Sequence, residues 1–448
     1  MRTDTRSTSA YRLKRPASID RRLGPTELIY CLLDKLYCLN FVAVAELDGR
    51  LDAGRLARAL RAVQLEQPLL RARVALIDGR HWFKPVPIEQ CPLKVEAHPL
   101  RGWRTACAAE LGKPFAGDAP LARFLWFAGR GRRSVVAMAF YHPIADGRSC
   151  HPLLFEILRR AGGERIPLRY RRARPSAQDL DLIESEGVVR RSIRTAAYWL
   201  QQGRKALVRA DPLPGYDSVV RAGRAVGVIP LHFTGRTSRA LLAACHAHAT
   251  TVQGALGAAQ LLALNRQVGA THSRALALTS LADLRGVLSG NLTGRELGLY
   301  VATITTVHRI AARPDFWGLA SDIHNQLKTV LSSGDANLIH TVYPEEPVLA
   351  SPEIRARVVQ ALVSLAPPSS MLTNVGRIEA VTLKNGVSVR SLQFLLFPPA
   401  QHPICVTAAS YRGCLHLTLL HDRLKVGQRQ AERIAKAMTR EIVAAAKG

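Results

Sequence analysis

The 448-residue sequence is short of acidic residues, aromatics and paired cysteines, and each shortage narrows what the chain can be. The eight cysteines are scattered, at 31, 38, 91, 107, 150, 245, 405 and 414, and no two form a Cys-x-x-Cys pair. Neither a disulfide framework nor a structural zinc site is therefore expected. Single cysteines inside apolar segments behave as small core residues, which points to a reducing compartment and to the cytoplasm. Aromatics at 6% are thin material for stacking on bases. Zinc-finger spacing, an RNP-type strand and a basic zipper are all missing, so specific nucleic-acid recognition is not expected. No stretch approaches the ~20 uninterrupted apolar residues that span a bilayer. Without a GxSxG elbow or a P-loop, a serine hydrolase or a nucleotide triphosphatase has no support.

What is present is hydrophobic, basic and long. Hydrophobic residues make up 48% of the chain, enough to bury large cores. The length suggests about two or three domains. Against 62 Lys+Arg stand only 34 Asp+Glu, a formal charge of +28. Much of the excess lies between Arg159 and Arg209, in RYRRARP (169–175), RRSIR (190–194) and GRKALVR (203–209). Such a field speeds encounters with anionic partners and is screened by salt. Phosphopantetheine carriers, coenzyme A and anionic lipid surfaces are candidates for that partner, while an arginine-rich composition on solvated faces accounts for the same residues. Residues 1–23 have no apolar signal core and read as a basic, flexible tail, a composition that an organellar presequence shares.

The periodicities describe a mixed α/β chain. Apolar spacing predicts a helix over 25–37, a strand over 41–47, a helix over 51–67 and two strands around the Asp-Gly turn at 78–79. A helix near 103–112 precedes a hairpin that ends at Phe140. After a charged helical stretch (176–209) and a Pro/Gly loop (211–217), strands are expected at 226–233, 274–285, 298–310 and 404–422. Helices are expected at 238–267, 315–334 and 426–446. The order is not a regular βαβ alternation, so a nucleotide-binding Rossmann sheet is not expected.

Chemistry concentrates in SVVAMAFYHPIADGRSCHPLLFEILRRAG (134–162), which reads strand, tight loop, helix. His142 lies just past the strand end, Asp146 four residues on, and Gly147 at the turn into the helix. A histidine fixed by a short polar loop suits a general base, with an ordinary pKa near 6.5. The same pattern also describes a satisfied core histidine beside a helix-capping aspartate. His142, Asp146 and His151 contain metal-ligand types, as do Cys245, His246 and His248, but neighbours on one helix point different ways.

HPIADG at 142–147 resembles the HHxxxDG motif of the chloramphenicol-acetyltransferase-like superfamily. That group includes non-ribosomal peptide condensation domains, polyketide-associated acyltransferases, wax ester synthases and alcohol acetyltransferases. LDGRLDAGRLARALRAVQLEQPLLRARV (47–74) is similar to its opening strand–helix–strand, and ATTVQGALGAAQLLAL (249–264) to the first helix of its C-terminal lobe. LADLR (281–285), GLYVATITT (298–306), MLTNVGRIE (371–379) and SYRGCLHLTLLHD (410–422) follow in the family's order. The likeness covers roughly residues 24 to 445.

The resemblance implies two such lobes, 24–210 and 211–448, in a V-shaped pseudo-dimer with a central active-site tunnel. It implies an acyltransferase that moves an acyl group from a coenzyme A or carrier-protein thioester to a hydroxyl or amine. His142 would be the general base, Asp146 the ion-pair partner of Arg285, and Gly147 the residue that lets the turn close. Thr373 and Asn374 would stand near the developing oxyanion. No permanently bound cofactor and no metal are implied. The co-substrate would be acyl-CoA or an acyl-phosphopantetheine carrier, with a small alcohol or amine as acceptor and an acyl carrier protein as candidate partner. Peripheral membrane contact stays open.

Two departures stand out. The first motif histidine is Tyr141 here, and DFWG (315–318) reads as a helix N-cap with packing aromatics rather than as the DFGWG of plant acyltransferases. Other readings are a stand-alone, amide-forming condensation enzyme and a catalytically silent basic scaffold that docks acidic carriers or nucleic acid.

Overall fold

The computed structural model describes residues 18–36, 38–115, 119–129, 131–180, 192, 193, 196, 210–213, 223–267, 272–336, 346, 351–365, 367–384, 386–399 and 402–447. Most of the expected charged helical stretch 176–209, most of the Pro/Gly loop 211–217 and residues 1–17 of the expected tail lie outside these.

The first half alternates strands and helices as β1 (Arg21–Arg22), α1 (Pro25–Leu36), β2 (Phe41–Asp48), α2 (Ala53–Glu66), β3 (Ala72–Ile77), β4 (Arg80–Pro85) and β5 (Glu96–Pro99). α3 (Trp103–Leu111), β6 (Ala122–Ala128), β7 (Arg133–Phe140) and α4 (Gly147–Ala161) follow. The second half holds β8 (Val226–His232), α5 (Gly235–Ala247), α6 (Val252–Arg266), β9 (Arg274–Asp283), β10 (Val301–Ile310), α7 (Phe316–Ser332) and α8 (Pro352–Leu365). It closes with β11 (Ser369–Ile378), β12 (Ser388–Leu396), β13 (Ile404–Tyr411), β14 (Cys414–Asp422) and α9 (Gln428–Ala445).

Local chemistry accounts for many of the ends. Asp52 caps α2 by accepting from the Arg55 N–H, and Asp315 caps α7 by accepting from Trp317 and Gly318. DFWG is therefore a helix start, with Trp317 stacked on His248 at 4.2 Å. The Asp-Gly turn between β3 and β4 places Asp78 at φ 49° and Gly79 at φ 74°, the left-handed pair that a tight hairpin requires.

Three sheets result, in the orders β1-β4-β3, β12-β2-β7-β6-β5 and β10-β9-β11-β13-β14-β8. Most neighbours are antiparallel, but β11 runs parallel to both β9 and β13, and β5 runs parallel to β6. Between β2 and β6, β7 is buried on both faces from Ser134 to Phe140, which explains its near-continuous apolar run.

Two placements differ from the sequence expectation. The expected flexible tail, 1–23, ends earlier: Ile19 and Leu23 are buried, and Arg21–Arg22 pair with Trp82–Phe83. Burial of two aliphatic side chains and strand pairing with β4 hold this segment on the first sheet's hairpin, and a bidentate pair from Arg21 to Glu27 at 2.7 Å ties it to α1. The second concerns β12, which comes late in the chain yet pairs antiparallel with β2, from Ser388 opposite Asp48 to Leu396 opposite Phe41. Its outer edge meets the six-stranded sheet, where the Thr407 hydroxyl donates to the Phe394 carbonyl at 2.5 Å. The core built on residues 41–161 consequently includes Val389, Leu392 and Leu395. A second core forms around α6, α9 and the six-stranded sheet.

Candidate active site

At Phe140 the chain leaves β7, and Tyr141 turns inward rather than toward the loop. Its ring packs on Phe115 at 5.8 Å, its hydroxyl meets Cys31, and burial holds its pKa well above the ordinary phenol value. Position 141 is thus filled by a buried packing residue. Residues 142–144 then form a single tight turn in which the Ala145 N–H donates to the His142 carbonyl at 3.2 Å. Pro143 costs this turn nothing, because its missing N–H falls where a helix start has no acceptor.

His142 is half-buried, with the rings of Tyr30 and Phe41 edge-on at 4.8 and 5.0 Å. Its Nδ1 lies 3.1 Å from the Ala145 carbonyl oxygen. A carbonyl can only accept, so Nδ1 carries the proton and Nε2 keeps its lone pair. Among the described residues Nε2 has no hydrogen-bond partner. Burial pushes the imidazole below its ordinary value of 6.5, against the opposing pull of backbone hydrogen bonds and of Asp146. The ring is thereby neutral near pH 7.

Asp146 does not touch His142 by any hydrogen bond. It is the N-cap of α4, fully buried, and accepts from the N–H groups of Arg148 and Ser149, both at 3.1 Å. Across the molecule it takes Arg285 bidentately at 2.9 and 3.1 Å, and the Tyr300 N–H donates to it at 3.0 Å. Every lone-pair direction of the carboxylate is occupied, so it has no capacity left for proton relay. Arg285 is equally bound: it also donates to Asp283 at 2.9 Å and to the Thr293 carbonyl at 3.1 Å, with Tyr300's ring 4.9 Å away. Burial works against the guanidinium, but Asp146 and Asp283 outweigh it and raise its pKa.

Gly147 has an ordinary backbone conformation. A Cβ there would come within 2.8 Å of Val375 Cγ1 and 3.4 Å of the Phe394 ring. Glycine at 147 therefore admits two strands from the second half of the chain, rather than easing the turn itself, as the sequence suggested. Arg148 extends that contact by donating to the Val375 carbonyl at 3.1 Å.

Thr373 and Asn374 sit on β11, the strand that reaches α4 through Val375. Thr373 is buried opposite Thr407, and Asn374 begins a bulge that ends at Arg377. The Asn374 Oδ1 accepts from the Gly376 N–H at 2.9 Å, with Gly376 at φ 77°, so the amide's N–H groups are left to donate elsewhere.

His142, Asp146, Gly147 and Arg285 are thus brought together, and β11 abuts them. His151 is buried beside Cys150 with its Nε2 unpaired, and burial lowers its pKa to about 4. Among the described residues no group of three or more His, Cys, Asp or Glu is placed to hold a metal ion. The sequence reading missed Tyr30, which bonds Thr303 of β10 through its hydroxyl, and also missed Asp283, Thr293 and Tyr300. Asp283 stands two residues before Arg285, a local signal that was there to use. Tyr300 contributes a backbone N–H, which side-chain identity cannot reveal.

Residues 222–427 match the family model for the C-terminus of phthiocerol/phthiodiolone dimycocerosyl transferase. No curated protein matches the sequence. Among solved structures, polyketide synthase associated protein 5 from Mycobacterium tuberculosis is 17% identical, with a TM-score of 0.67 over 94% of this chain and 98% of that one. Trichothecene 15-O-acetyltransferase from Fusarium sporotrichioides is 13% identical, with a TM-score of 0.71 over 95% of each chain. The first condensation domain of the calcium-dependent antibiotic synthetase is 16% identical, with a TM-score of 0.68 over 96% of this chain and 97% of that one.

Proposed function

We propose, from a chain with the two-lobed fold of the chloramphenicol-acetyltransferase-like superfamily, that this protein transfers an acyl group from a thioester to a hydroxyl or amine. One observation carries the reading. His142 donates its Nδ1–H to the Ala145 carbonyl, which leaves a neutral Nε2 with no partner among the described residues, in a half-buried setting. That is the state a general base needs.

In this mechanism Nε2 takes the proton of the acceptor's O–H or N–H as its lone pair attacks the thioester carbonyl. The carbonyl π pair moves to oxygen. Collapse of the tetrahedral intermediate breaks the C–S bond, and the imidazolium returns its proton to the departing thiolate. Asp146 and Arg285 keep the loop in place and take no part in proton transfer. Thr373 and the Asn374 amide are the assigned donors to the oxyanion, a role whose value lies in being held ready before charge develops. The donor is acyl-CoA or an acyl carrier protein, and the acceptor a small alcohol or amine. The lobes are assigned to 24–210 and 211–448, with β12 returned to the first. An Nε2 with no partner among the described residues favours this over a silent scaffold.

The test offers a short acyl-pantetheine thioester with a panel of alcohols and amines, and follows products by mass spectrometry. His142→Ala is expected to stay folded and to lose roughly 10²- to 10⁴-fold in turnover, the usual span for a general base. Because burial lowers the imidazole pKa, wild-type kcat/KM should hold level above pH 6.5 and fall only below it. Undiminished transfer by the alanine variant would reject the reading.

A further inference from the structure

A cleft of about 560 Å³ opens at the far end of α4 from His142, between α2 and the turn that follows α4. The helix has 15 residues, so the two places are about 20 Å apart. The cleft's charged lining is four arginines, Arg55, Arg58, Arg160 and Arg165, against Glu164 alone. That glutamate is already bound by Arg159, through Nε at 2.7 Å and through a second guanidinium N–H.

The arginines are not neutralised from within. Arg55, Arg58 and Arg165 have no side-chain hydrogen bond or ion pair among the described residues, and all three are exposed. Arg160 is different. Its side chain is 9% exposed, and it donates through Nη2 to Glu66 and Glu156 at 2.7 and 2.9 Å and through Nη1 to the Ile166 carbonyl at 2.9 Å. Its Nε is buried with no partner. A buried, charged N–H without an acceptor is costly, and in native structures it asks for an explanation. Nearby, Arg171 pairs with Glu156 and Glu296 and Arg174 with Glu296, while the Arg171 Nε is likewise buried without a partner and Arg169 and Arg172 stay exposed outside the cleft.

We propose that this cleft is a binding site for a phosphate-bearing anion, separate from the acyl-transfer centre. Guanidinium groups bind phosphate oxygens through pairs of parallel N–H donors, and three unpaired ones call for at least two negative charges. The volume lies within the range of ligand sites and exceeds what one phosphate fills. Ala59, Ala62, Ile166 and Pro167 supply an apolar surface for the body that carries the phosphate. A soluble phosphoester and a lipid phosphate headgroup share this chemistry.

Two probes separate those sources at fixed ionic strength: pyrophosphate, followed by calorimetry, and vesicles of phosphatidic acid in phosphatidylcholine, followed by flotation. The full-length protein is compared with the triple variant Arg55→Ser/Arg58→Ser/Arg165→Ser and with the control Arg169→Ser/Arg172→Ser, which removes exposed arginines outside the cleft. Arg160 is left intact, since its loss would strand Glu66 and Glu156. The triple variant is expected to bind at least about tenfold more weakly, and the control to bind like the wild type. Binding of pyrophosphate assigns a soluble ligand, and binding of vesicles alone assigns a headgroup. Absence of binding to either probe, or equal loss in the control, overturns the site.

Discussion

The two ends of α4 each carry a buried charged cluster, and they are built on opposite principles. At the N-terminal end Asp146 meets Arg285, 139 residues later in the chain, and both groups have all their hydrogen-bonding capacity met. At the C-terminal end Glu66, Glu156 and Arg160 all belong to the first half, two carboxylates share one guanidinium, and one N–H is orphaned. Glu66, the more buried carboxylate, is pushed up to about 7, first by burial and then by Glu156. A saturated pair resists displacement, and here it clamps the loop that presents His142. An undersatisfied cluster stays responsive to protons and to anions, and here it borders the cleft.

The largest expected effect is at the saturated end. Asp146→Ala leaves the buried Arg285 cation with only the exposed Asp283 as a carboxylate partner, and loss of one partner of a buried pair costs about 3–5 kcal/mol. Thermal melting should show that loss, and amide exchange should rise first in the opening turn of α4. Asp146→Asn keeps a cap acceptor, worth about 1 kcal/mol, while removing the charge. If the asparagine variant melts like the wild type, the ion pair is not what holds this end.

An intermediate effect is expected at Gly147. Alanine there must displace Val375 or the Phe394 ring, and overpacking of this kind costs about 1–3 kcal/mol. Because the displaced strand carries Thr373 and Asn374, kcat/KM should fall further than stability does. Val375→Ala made together with Gly147→Ala should restore much of both. Failure of the double variant to recover would place the fault in the loop itself and not in the contact with β11.

The smallest effect belongs to the other end. Glu66→Gln should cost no more than about 1 kcal/mol at neutral pH, since the native carboxyl is already close to half-protonated there. Its signature lies in pH dependence. The folded-state pKa is raised from 4.5 to about 7, so between those values the native state holds a proton that the unfolded chain has released. Stability should therefore decline as pH rises through that window, and the glutamine variant should flatten the decline. A parallel pH profile for both proteins would remove the contrast between the two ends.

The chain's local order is written in local patterns. Apolar spacing marks α1, α2, α7 and α9, alternation marks β2 and β10, and Asp52, Asp78–Gly79 and Asp315 mark a cap, a turn and a cap, because each needs only neighbours within a few residues. The loop bearing His142 and Asp146 was visible for the same reason, as a polar break between an apolar strand and an amphipathic helix. Pairing Asp146 with Arg285 was expected only through family resemblance, since nothing in either segment names the other.

What tertiary structure alone decided is everything that depends on partners far along the chain. Ser388–Leu396 lies within the expected second lobe, 211–448, yet it completes the sheet of Phe41–Asp48, because strand patterns specify a buried face and leave the neighbour unspecified. Gly147 resembles a turn glycine until Val375 and Phe394 arrive against it. The arginines of 169–174 form a single basic run in the sequence, and folding sorts them: Arg171 and Arg174 find carboxylates, while Arg169 and Arg172 stay exposed. Charge and periodicity are properties of a segment, but satisfaction of a charge is a property of the space around it, and only the folded chain supplies that space.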